Sequence, residues 1–209
     1  MAEKAGARRR RSNETRTRLL DAALGLFAAH GYDGTTIEAI AREAGVAVQT
    51  VYFKFGTKAA ILQELLDVRV AGDHEPVPTV ERDWFRAAVA AEDPEVQLRH
   101  QVDGAREIYE RVGGLLEVLR HAATANEEIA PLWERNKEQR HEIQARLVEA
   151  LAAKHPLPAG LPVERAVDTG YTLLGPEIYH LLVTERGWTP QEWADWVHTG
   201  LCRQLLGGA

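Results

Sequence analysis

Gln49 and Thr50 stand side by side and offer both hydrogen-bond donors and acceptors, and Ala47 and Val48 just before them carry methyl groups. An amide and a hydroxyl so placed can read base edges in a major groove, where aliphatic methyls meet thymine. Tyr52, Lys54 and Lys58 suit phosphate oxygens. The pair Thr35-Thr36 suits them too where it opens a helix, because free backbone amides and the helix dipole attract an anion there. Phe53 completes the candidate DNA-binding set, with packing between helices as the alternative for Tyr52 or Phe53. Val51, Phe55, Ile40 and Ile61 read as core. Other chemistries lack their residues: there is no Gly-x-Gly-x-x-Gly, Walker-type loop or Gly-x-Ser-x-Gly elbow, and His141-Glu142 has Ala145 where a zinc-protease helix needs its second histidine. The single cysteine, Cys202, has no partner for a disulfide, and the eight histidines are scattered. No catalytic residue, metal site or cofactor is expected.

The elements that must hold these side chains follow from apolar spacing. Leu19, Leu20, Ala23, Leu24, Phe27 and Ala28 recur every three or four residues, which marks a helix from Glu14 to His30 with Ser12 or Asn13 as N-cap. Gly31 stops it. Thr35-Thr36-Ile37-Glu38 reads as a capping box opening a second helix with Ile37, Ile40, Ala41 and Ala44 inward, and Gly45 ends it. Residues 46–53 resume helical spacing, and a fourth helix opens at Thr57. Two short helices joined through a glycine describe a helix-turn-helix, whose second helix enters the groove.

The run from Thr15 to Leu66 resembles the DNA-binding domain of TetR-type transcriptional repressors. The likeness rests on Gly34-Thr-Thr-Ile-Glu-Ala-Ile-Ala-Arg-Glu-Ala-Gly45-Val and Thr50-Val-Tyr-Phe-Lys-Phe-Gly-Thr-Lys58. Lys54 and Gly56-Thr57 depart from the usual pattern, which has histidine and a Lys-Asn pair there. The resemblance implies a homodimer whose recognition helices occupy successive major grooves, and a helical body that binds a small-molecule effector and releases the DNA when occupied.

Beyond Ala71 the polar, proline-broken segment 72–78 is a loop. Helices are predicted over 80–91, 94–112, 115–123 after a Gly113-Gly114 break, 131–154, 163–186 and 190–206. No sustained two-residue alternation appears, so the class is all-α. Gln101, Tyr109, His121, Trp133, Asn136, Arg140 and Tyr171 are polar or aromatic groups suited to lining a ligand pocket with apolar walls; Gln101 and Asn136 share apolar stripes of their helices. Each also has the option of bonding a neighbouring helix. Leu173, Leu174, Ile178, Tyr179, Leu181, Leu182, Trp193, Trp196, Val197 and Leu201 give the last two helices more apolar area than one internal face uses. Paired with symmetry mates they would form a four-helix dimer interface, matching a palindromic operator with half-sites about 34 Å apart or a multiple.

The 209 residues, 45% hydrophobic and 27% charged, exclude a wholly disordered or collagen-like chain. No run approaches the ~18 apolar residues of a membrane helix, and no secretory signal is present, so a cytoplasmic location is expected. The net charge of -6 is unevenly spread: residues 1–58 hold ten basic against six acidic side chains, leaving fifteen against twenty-five for the rest. Only the first part can face a polyanion. Three segments are expected: a basic arm over 1–11, ending in Arg8 to Arg11, which follows the DNA backbone or enters the minor groove; a DNA-binding domain over 12–58; and a ligand-binding and dimerisation domain over 59–209. The competing readings are a catalytic helical body and a peripheral membrane protein whose arginines bind anionic lipid. The reading adopted is a ligand-responsive regulator of transcription, a repressor acting on double-stranded operator DNA with no membrane partner.

Overall fold

A computed structural model describes residues 2–72 and 78–207, with only the backbone course for 2–10. The described residues are helical and contain no strand: α1 (Ala2–His30), α2 (Ile37–Glu43), α3 (Val48–Phe55), α4 (Lys58–Ala71), α5 (Asp83–Ala90), α6 (Pro94–Ala123), α7 (Ala130–Ala152), α8 (Val163–Leu173), α9 (Pro176–Tyr179) and α10 (Pro190–Leu206). None of them is long and apolar enough to cross a membrane. The chain forms two compact units. One comprises residues 1–67 with 118–132, and the other residues 68–117 with 133–209.

The first unit is built on the apolar stripe of α1. Leu19, Leu20, Ala23 and Phe27 are buried, as are Ile40 and Ala41 of α2, Val51 of α3 and Ile61, Leu62 and Leu65 of α4. Leu119, Ala122 and Ile129, from the segment 118–132, are buried in the same unit. Burying a leucine or phenylalanine stabilises by about 1.5–3 kcal/mol, so these side chains fix the helices that carry the polar residues.

Two expectations about this unit change. The predicted helix start at Ser12 or Asn13 gives way to a helix beginning at Ala2. Apart from Gly6, residues 2–11 are helix formers with no proline, so nothing in the sequence halts the helix. The side chains of Arg8, Arg9 and Arg10, part of the expected DNA arm, lie outside the described residues. The capping box at Thr35 does not form either. Thr36 is the N-cap and its hydroxyl accepts from the Ala39 amide at 3.1 Å, which places Glu38 one position too early to reach back.

In the second unit Phe85, Ala88 and Leu147 form a buried cluster against Val80, Trp84 and Ile143. Gly104 makes room for Trp84: a Cβ there would lie 2.5 Å from the indole. The predicted break at Gly113-Gly114 is absent, since α6 runs unbroken from Pro94 to Ala123. Buried Val112, Leu115, Leu116 and Leu119 hold it, and Gly113 lets the Tyr179 ring approach. Conversely, the single helix predicted over 163–186 is divided. Gly175 is extended (φ -69, ψ 140), as a residue before proline prefers, and Pro176 starts α9, which passes into a π-turn over His180–Glu185.

The same unit consumes much of the predicted dimer face. Leu174, Trp193, Val197 and Leu201 are buried within the chain itself, so they are core and not free surface. Tyr109 and Tyr179 meet Trp193 edge-to-face with centroids 5.8 and 5.1 Å away, and this aromatic packing holds Trp193 inward. Ile178 and Leu182 are half-buried, while Leu181 and Trp196 remain 43% and 44% exposed.

Candidate nucleic-acid interface

The turn between α2 and α3 is fixed by backbone chemistry. Gly45 takes φ 64, its N–H donates to Arg42 O at 3.1 Å, and the Val46 N–H donates to Ala41 O at 3.0 Å. These are the two bonds of a Schellman motif, which needs a left-handed residue at this place and therefore glycine. The next helix then starts at once, with Ala47 as an N-cap that supplies no side-chain oxygen.

On α3 the helical phase divides the side chains cleanly. Val51 points into the core and Phe55 lies half-buried under Arg16, whose guanidinium sits 4.9 Å from the ring. Ala47 and Gln49 are exposed, Val48 and Thr50 half-buried, Tyr52 is 50% exposed and Phe53 90% exposed. Gln49, Tyr52 and Phe53 follow the i, i+3, i+4 spacing of one face. That face presents an amide, a phenol and an aromatic ring to solvent, with the backbone amides of the first α3 turn at its edge.

Several predicted phosphate contacts serve the fold instead. Thr35 is buried: its hydroxyl donates to Gly31 O at 2.8 Å and its N–H to Tyr32 O at 3.2 Å. The Lys58 Nζ donates to Tyr32 O at 2.6 Å and Thr35 O at 2.9 Å and lies 4.0 Å from the centre of the Tyr32 ring. Burial draws the Lys58 ammonium below the usual lysine range against the opposing pull of Asp33 and Glu128, and burial lifts the Tyr32 phenol to about 12. Thr35 and Lys58 therefore tie the start of α4 to the turn after α1. The Lys54 Nζ is engaged as well, donating to the Ser12 carbonyl at 3.1 Å and hydroxyl at 2.9 Å. Thr36 keeps an exposed position at the start of α2.

Arg16 is a functional support that the sequence reading missed. It forms a bidentate ion pair with Glu64 while covering Phe55, and so connects α1, α3 and α4. Their separation of 48 residues leaves no local signal. In the second unit Trp133, Asn136, Arg140 and Tyr171 come together. The Arg140 Nε donates to Asn136 Oδ1 at 3.0 Å and an Nη to the Tyr171 hydroxyl at 3.2 Å. Tyr109 is buried nearby, its hydroxyl donating to Leu174 O, and burial holds its phenol far above the usual range. Gln101 is buried on α6, and His121 is exposed in the other unit, outside this cluster.

An exposed polar and aromatic helix following a glycine-capped turn defines a helix-turn-helix DNA-binding protein. The family model for bacterial regulatory proteins of the tetR family matches residues 19–65. Two relatives from Pseudomonas putida are each 40% identical over 96 residues, 44% of this chain. They are the HTH-type transcriptional regulator SrpR, of which the match spans 44%, less than half its length, and the uncharacterized HTH-type transcriptional regulator TtgW, of which it spans 69%. Among solved structures, NalD, the secondary repressor of the MexAB-OprM multidrug efflux pump in Pseudomonas aeruginosa, superposes with a TM-score of 0.72 at 25% identity over 94% of this chain and 98% of that one. The chain belongs to the TetR family: it is a DNA-binding transcriptional regulator and not an enzyme.

Proposed function

We propose that this regulator is a repressor that binds a palindromic operator as a homodimer in the cytoplasm and is released by a small-molecule effector. The observation that carries the reading is the exposed face of α3, where Phe53 is 90% exposed and Gln49 stands free above a buried Val51. Large aromatic side chains seldom face water without a partner. Repression is suggested by the likeness to NalD, itself a repressor. Pairing is supported by Leu181 and Trp196, apolar and exposed, with Trp188 set edge-on against Trp196 at 6.2 Å. The arginine run Arg8 to Arg11, which lies within the first turns of α1, adds phosphate or minor-groove contacts in this reading.

The effector acts by population shift, favouring a spacing of the paired heads that mismatches the operator. A coupling of about 1–3 kcal/mol lowers affinity from several-fold to about a hundredfold. Selection of bound fragments from random duplex, followed by titration, tests the reading. The selected site should be two-fold symmetric, and Gln49→Ala with Thr50→Ala should cost about 1–3 kcal/mol each and relax base preference. Equal affinity for selected and random duplex overturns it.

A further inference from the structure

The following inference rests on the effector-responsive reading above and concerns the chemistry of the effector. The Arg140 guanidinium lies between two aromatic rings, 5.4 Å from the centre of Trp133 and 4.9 Å from that of Tyr171. It donates hydrogen bonds to two neutral partners, Asn136 Oδ1 and the Tyr171 hydroxyl. Its ion pair with Glu177 Oε1 stands at 3.8 Å, beyond hydrogen-bond reach, although the Arg140 side chain is only 17% exposed. A cation this far out of water and this loosely paired favours a closer anion. A planar fork with stacked faces selects a planar one, a carboxylate attached to a flat apolar group.

One turn along α7, Gln144 Oε1 is buried with no hydrogen-bond partner. An orphaned acceptor of this kind is a cost to the fold that a donor brought from outside removes. Asn136, Arg140 and Gln144 are spaced by four and share one helix face. We propose that Arg140 binds the carboxylate of a small aromatic acid in place of Glu177, and that a hydroxyl or N–H on the same molecule meets Gln144 Oε1. Glu177 lies in α9, just past the break at Gly175, and Tyr109 holds the other side of that break through Leu174 O. Exchange of carboxylates at Arg140 therefore acts on the α8–α9 junction.

Calorimetric titration of the full chain with benzoate, 2-hydroxybenzoate and 2-naphthoate, beside benzamide and benzamidinium, tests this without DNA. The acids should bind about tenfold or more tighter than the amide, with the cation weakest. 2-Hydroxybenzoate should exceed benzoate by about threefold, and Gln144→Leu should erase that difference. Arg140→Met should lose about tenfold, and Glu177→Gln, which removes the competing carboxylate, should gain about threefold. Should Arg140→Met fail to fold, the acid–amide ratio and Glu177→Gln still decide. No acid binding below about 10 mM, or an amide that binds as well as its acid, overturns the proposal. Acid binding that leaves operator affinity unchanged defeats the effector reading alone; release of operator by other compounds, with no acid binding, defeats this inference alone.

Discussion

The two units treat their polar side chains in opposite ways. In the DNA-facing unit Thr35, Lys58, Lys54 and Arg16 all end on partners supplied by α1, α4 or the turn between α1 and α2. In the second unit Gln97 Oε1, Gln144 Oε1, Arg106 Nε and Trp193 Nε1 are buried without a hydrogen-bond partner. A module that must present one rigid helix to an external target gains from satisfying every internal valence. Under the proposed effector-responsive function, an open valence such as Gln144 Oε1 is available to an incoming molecule.

Replacing Lys58 is the strongest way to break this contrast. Lys58→Met removes a donor from Thr35 O and one of the two from Tyr32 O and loses the ring contact, so it should destabilise the first unit by about 2 kcal/mol. Chemical denaturation measures that loss. The slope of log affinity against log salt for DNA should stay unchanged. A slope shallower by about 0.9 with stability intact would return Lys58 to the phosphate backbone.

Gly104→Ala probes the packing side of the second unit. The new Cβ would meet three Trp84 ring atoms at 2.5 to 2.8 Å, and that ring is wedged edge-on against Phe85. The indole must move, at a cost of about 1–3 kcal/mol partly offset by the helix preference for alanine. A lowered melting temperature with an altered near-ultraviolet tryptophan signal is the expected result. An unchanged signal would mean that the Trp84 site gives way freely.

How much of this was legible in the sequence depends on the range of the cause. The α2–turn–α3 element was readable because glycine at 45, threonine at 36 and apolar residues at 37, 40, 41 and 51 act within a few residues. Burial of Thr35 and capture of Lys58 were not, since Lys58 must find carbonyls 23 and 26 residues away. Trp193, Val197 and Leu201 read from sequence as a dimer face because periodicity shows that a face is apolar but not which surface covers it. Tyr109 and Tyr179 settle it for Trp193 only in three dimensions. The cluster around Arg140 was partly visible: Trp133, Asn136 and Arg140 share a helix, and the same four-residue spacing pointed to Gln144, which was overlooked.

Gln144→Leu sharpens the contrast from the other direction. Removing an orphaned buried acceptor with an apolar side chain of similar length should raise stability by about 1 kcal/mol, the reverse of the Lys58 result. Thermal unfolding without ligand checks the sign. A loss would mean that the Gln144 amide contributes to the fold, and the open valence would lose its meaning.

Gly25→Ala should give the smallest effect and isolates backbone entropy from both hydrogen bonding and packing. Gly25 lies inside α1, is exposed, and a Cβ there meets nothing within 4 Å. Alanine restricts the unfolded chain and favours the helix, so stability should rise by about 0.5–1 kcal/mol, a gain of roughly 2–4 °C in melting temperature. The exposed side chains of α3 are untouched, so operator affinity should not change. If affinity fell while stability rose, α1 would have to bend at Gly25 for the helices it supports to seat on the duplex. The satisfied valences of the first unit would then describe only its unbound state.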